Sequence, residues 1–87
     1  MRSHYTSIFK AFFHKKLFRR RMELDITQEE MAERLVMAGR TYVDLDHGKT
    51  GCSALTLALF LIYICADPLA FLEELRNAFE NGSNKAA

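Results

Sequence analysis

TQEEMAERLVMAGRTYVDLDHGK, residues 27–49, is the stretch whose reading decides the fold. Thr27 followed three residues later by Glu30 has the form of a capping box, in which hydroxyl and carboxylate satisfy orphan helix amides reciprocally. A helix therefore starts here, with Met31, Ala32 and Leu35 on its buried face and Glu29, Glu30 and Glu33 on the dipole and solvent side. Ile26 before the cap and Met31 at the fourth helical position can form a hydrophobic staple. Val36-Met37-Ala38-Gly39 leaves room only for a tight connection. Arg40 to Asp46 is again helical in spacing, with Tyr42 and Leu45 inward, and Gly48 supplies the left-handed residue that stops it.

Beyond Gly48, Ser53 caps a fourth helix expected from Ala54 to about Ala66, ALTLALFLIYICA, which is apolar on every side. Its 13 residues fall short of the roughly 20 that cross a bilayer, so it reads as a buried helix and not a membrane span. A helix apolar all round must be covered all round. The aromatic N-terminal face or a second subunit is expected to do so. Asp67 as cap and Pro68 at the first helical position start a fifth helix. Leu69, Leu72, Leu75 and Phe79 are expected inward, Asn81-Gly82 is expected to end the helix, and 81–87 to be a flexible tail.

On the other side of Thr27, apolar residues Phe9, Phe12, Phe13, Leu17 and Leu24 recur at helical spacings from Tyr5 to Leu24, without Gly or Pro. The helix ends where Asp25 and Ile26 break the period. Phe9, Phe12 and Phe13 are expected to be buried against the fourth or fifth helix. Strand alternation and internal repeats are absent from the sequence, so the class is all-α with five helices.

The 87 residues, 49% hydrophobic, suffice for one small domain with a modest core. Net charge is +1, yet residues 1–21 hold Arg2, Lys10, Lys15, Lys16, Arg19, Arg20 and Arg21 with no acid. That basic run is either a solvated helix face or the first contact for a polyanion. Cys52 and Cys65 follow no secretory pattern, which points to a reduced, cytoplasmic protein. His4, His14, His47 and the cysteines lack metal-ligand spacing, and neither a nucleophile motif nor a Gly-rich phosphate loop is present. No enzyme activity, catalytic residue, metal or cofactor is expected.

Thr27-Gln28-Glu29-Glu30-Met31-Ala32-Glu33-Arg34-Leu35, followed by Tyr42-x-x-Leu45-Asp46-His47-Gly48-Lys49, resembles the XRE family, the Cro and phage-repressor type of helix-turn-helix. That family's pattern is TQEELAxxL and then I-x-x-I-E-x-G-K, at the same spacing. The resemblance covers about residues 17 to 75. It implies a compact five-helix, lambda-repressor-like DNA-binding domain over 17–80, with residues 1–16 as a basic, aromatic N-terminal extension of the first helix. It also implies an ion pair between Arg21 and Asp46, where the family usually has Glu, one methylene longer. By position, base-facing residues fall on Ala38, Gly39, Arg40, Val43 and Asp44. Phosphate-facing ones fall on Gln28, His47, Lys49 and Thr50.

On chemistry, Arg40 can pair with guanine or a phosphate, Val43 can touch a thymine methyl, and Asp44 can accept from cytosine. Ala38 cannot cap the third helix, Gly39 weakens its first turn by about 1 kcal/mol, and Asp44 has the wrong sign for phosphates. Two functions of different class follow. One is a sequence-specific transcriptional regulator that binds double-stranded DNA as a homodimer, on half-sites about 34 Å apart. The other is a protein-interaction module, antitoxin-like or regulatory, with a degenerate reading helix.

Overall fold

The computed structural model describes residues 2–86. Helix α1 runs from Arg2 to Leu24, three residues earlier than the first apolar periodicity, and is continuous across residues 16 and 17. Then come α2 (Gln28–Arg34), α3 (Gly39–Asp46) and α4 (Ala54–Leu59), which continues as a single wide π turn over Phe60–Ile64, and α5 (Pro68–Ala86). No strand occurs among the described residues. The chain is all-α, with α1 laid against both α5 and α3, and α2 packed on α3.

Local chemistry sets each boundary. At the start of α2 the capping box is complete: the Glu30 amide donates to Thr27 Oγ1 at 3.1 Å, and the Thr27 amide approaches Glu30 Oε1 at 3.5 Å. Ser53 and Asp67 cap α4 and α5, accepting from the amides of Thr56 and Ala70. The first three helices end in one way, with an i→i−5 amide bond over a left-handed residue. The bonds are Ile26 to Arg21, Met37 to Ala32 and Lys49 to Asp44. The left-handed residues are Asp25 (φ 54°), Val36 (φ 55°) and Gly48 (φ 75°). Of these only Gly48 is the residue type such a stop favours. A Cβ there would also come within 3.1 Å of the His14 ring, so a side chain at this position has to push that ring aside by a few tenths of an ångström.

The core joins Phe13 and Leu17 of α1, Met31, Ala32 and Leu35 of α2 and its end, Tyr42 and Leu45 of α3, Phe60 and Ile64, and Phe71 of α5. Phe13 meets Phe60 and Phe71 edge-on, with centroids 5.2 and 6.4 Å apart, and Phe12 meets Phe71 at 5.2 Å. Phe9 stacks on Phe13 and is half-buried like Phe12. The aromatic face of α1 thus does pack on the fourth and fifth helices, as its spacing predicts.

Three expectations need correction. First, the regular α-helix from Ala54 stops at Leu59, and a π turn closed by the Cys65 amide on the Phe60 carbonyl (2.7 Å) replaces its last part. Buried Thr56, Phe60 and Ile64 lie four apart, and the wider turn takes up the angular drift that an α-helix would accumulate over such a spacing. Second, α5 is rotated: Leu69 is 74% exposed and Leu72 is also exposed, while Phe71, 3% exposed, points inward with Leu75 and Phe79 partly buried. The aromatic cluster with Phe12, Phe13 and Phe60 offers Phe71 more contact than an aliphatic seam offers Leu72. Third, Asn81-Gly82 does not end α5, which runs to Ala86. Gly82 sits inside the helix, where the Ile8 side chain of α1 comes close.

Candidate nucleic-acid interface

Helix α3 has two sides with different work. Inward, Tyr42, Leu45 and Asp46 are buried. Asp46 is the polar centre. Its Oδ1 accepts from the Tyr42 hydroxyl at 3.1 Å, and its Oδ2 accepts from Gln28 Nε2 at 3.0 Å and lies 3.5 Å from Arg21 Nη2. Arg21 also donates to the Ile26 carbonyl at 3.3 Å and lies under the Phe18 ring, but its Nε has no partner. From α1, His14 Nδ1 donates to the Asp46 carbonyl oxygen at 2.6 Å. Burial first, and then the adjacent Asp46 carboxylate, push the Tyr42 hydroxyl well above the ordinary tyrosine range. Tyr42 therefore stays neutral and remains a donor.

Outward, Gly39, Arg40, His47, Lys49 and Thr50 are exposed, and Val43 and Asp44 are half-buried. A Cβ on Gly39 would meet nothing within 4 Å, so this first turn is open to a ligand. Ala38 precedes it without a side-chain cap. Among the described residues, the side chains of Arg40 and Lys49 form neither a hydrogen bond nor an ion pair.

Gln28 does not join this face. Its side chain is drawn inward to the Asp46 carboxylate, where a buried charge needs donors more than an exposed phosphate site would. Tyr42 and His14 also support Asp46 and are missing from the sequence-based set. The Tyr42–Asp46 bond had a signal, since i and i+4 share a helix face. His14 had none, because its partner is a backbone carbonyl 32 residues away.

The N-terminal basic run is less available than its composition suggests. Lys16 pairs with Glu74 at 2.6 Å, Arg20 donates to the Ile64 carbonyl and lies 3.3 Å from Glu23, and Arg21 is turned into the core. Lys10, Lys15 and Arg19 form no such bond among the described residues. No group of three His, Cys, Asp or Glu among the described residues could hold a metal ion. No described helix is long and apolar enough to cross a membrane. Burial pushes the half-buried Cys52 thiol up to about 11, so it is protonated near neutrality and a poor nucleophile.

Compared with models of protein families, with curated proteins and with solved structures, the chain matches none. Fold and site together define a class: a small all-α protein whose third helix is clamped by its inner side and presents a short polar, partly basic outer face.

Proposed function

We propose that the chain binds double-stranded DNA through the outer face of α3 and the loop after it, as a transcriptional regulator of the helix-turn-helix kind. The observation that carries this reading is the division of labour on α3. Tyr42, Leu45 and Asp46 hold the helix rigidly from behind, so Arg40 and Val43 are presented at a fixed angle, with His47, Lys49 and Thr50 just beyond. Rigid presentation lowers the ordering cost of reading a groove. Arg40 serves guanine or phosphate, Val43 a thymine methyl and Asp44 cytosine, while Lys49, His47 and Thr50 serve the backbone. With so few base contacts, most of the affinity comes from phosphate neutralisation and falls steeply with salt.

The test is binding of a random-sequence duplex at low salt, followed by fluorescence anisotropy. The double variant Arg40→Ala/Lys49→Ala is expected to weaken the binding strongly and to flatten the log–log salt slope by about 2, close to one unit per phosphate contact removed. Indifference of the unaltered chain to duplex at low salt would sink the proposal.

A second reading rests on a different surface. Leu55, Ile62 and Tyr63 of the fourth helical segment are 68%, 68% and 72% exposed, and Leu69 and Leu72 of α5 are exposed as well. Such residues favour a protein partner, a second copy of this chain first of all, and a homodimer is compatible with binding two half-sites.

A further inference from the structure

Between α2 and the start of α3 runs a groove of about 450 Å³, lined by Gln28, Glu29, Ala32, Glu33, Met37, Gly39 and Val43. Its apolar surface comes from Met37 and Val43 over the buried Ala32, and Gly39 leaves one side without a side chain. Glu29 and Glu33 flank it from one face of α2, four residues apart and exposed. Glu30 is different, since its carboxylate is turned back to Thr27. Among the described residues neither the Glu29 nor the Glu33 carboxylate forms an ion pair or a hydrogen bond. Like charges at this spacing weaken a helix by a few tenths of a kcal/mol, and among the described residues no cation pairs with either.

We infer that this groove takes a basic peptide segment of a partner protein, one that seats an apolar side chain on Met37 and Val43 and sets Lys or Arg against Glu29 and Glu33. The charge selects the occupant: two unpaired carboxylates repel phosphate and attract a cationic chain. Met37 gives the floor a surface that adapts to different apolar side chains. A peptide seated there covers Gly39 and Val43, the same surface proposed above for base contacts, so peptide and duplex exclude each other. Peptide binding itself does not depend on the DNA reading.

The experiment uses the full chain, labelled with ¹⁵N, and a synthetic peptide of about ten residues that alternates leucine with arginine. Amide shifts are expected to concentrate between residues 28 and 43. The Glu29→Gln/Glu33→Gln variant, which changes only exposed side chains, is expected to bind roughly tenfold more weakly. A matched peptide with glutamate in place of arginine is expected not to bind. Equal affinity of the double variant, equal binding of the acidic peptide, or shifts centred elsewhere would each overturn the inference. No duplex is present, so the outcome is independent of whether the chain binds DNA.

Discussion

Asp46 is a buried carboxylate with three donors around its oxygens and a fourth on its carbonyl, drawn from α1, α2 and α3. The two short contacts, from Gln28 and Tyr42, hold it more closely than Arg21 at 3.5 Å. Removing the carboxylate leaves Arg21 and the Tyr42 hydroxyl without it. Asp46→Ala is therefore expected to cost about 3–5 kcal/mol. Tyr42→Phe removes one bond to a charge and is expected to cost about 1.5–3 kcal/mol. Urea denaturation of both variants checks the order. The Tyr42 hydroxyl also gives a pH signature. Its folded pKa is raised, so the neutral form is favoured by folding. The stabilisation is complete below the unfolded value of about 10 and is lost as pH rises beyond it. The stability gap between the unaltered chain and Tyr42→Phe should be constant between about pH 7 and 9 and shrink above about 10; a gap that widens there contradicts this assignment.

At the scale of single elements, the turn between α2 and α3 carries strain that the sequence does not advertise. Val36 is left-handed and 79% exposed, so its β-branched side chain bears a backbone cost with almost no packing in return. Val36→Asn, a residue that tolerates this conformation, is expected to raise stability by about 1 kcal/mol, read as a higher urea midpoint with unchanged slope. In α5 the rotation makes a paired prediction. Phe71→Ala should cost about 3–5 kcal/mol, whereas Leu69→Ala should change the stability of a single chain by less than about 0.5 kcal/mol. Equal costs would mean that the rotation described here is wrong. The inward set first expected, Leu69 and Leu72 with Leu75 and Phe79, fits an aliphatic seam. Both seams have helical spacing, and only the position of the α1 aromatics chooses between them.

For the whole molecule, what lies uncovered is as informative as the core. The α1 aromatics cover one side of the fourth helix through Phe60, and Leu55, Ile62 and Tyr63 stay in solvent in a single chain. If a second copy covers them, light scattering at tens of micromolar should give twice the 10.0 kDa chain mass. Ile62→Asp should return the monomer with an unchanged circular dichroism spectrum, since that side chain lies outside the core. A mass of one chain for the unaltered protein would remove the homodimer and leave duplex binding, if present, to a single reading face.

The sequence by itself determined the local events. Thr27 with Glu30, Ser53, Asp67 with Pro68 and Gly48 fixed where helices start and stop, because caps and left-handed glycines act within a few residues. Apolar spacing at Phe13, Leu17, Met31, Leu35, Tyr42 and Leu45 likewise marked the core of the first three helices, whereas the reading face from Arg40 to Thr50 was only what the helix-turn-helix resemblance implied. Only the tertiary structure decided the inward turn of Gln28, the His14 bond to the Asp46 carbonyl, the π turn at Phe60–Ile64 and the choice of Phe71 over Leu72. Each of these depends on a surface brought up from a distant part of the chain. A buried carboxylate recruits whichever donors are within reach, and an aromatic cluster rotates the helix that feeds it; neither force is written in the spacing of neighbouring residues.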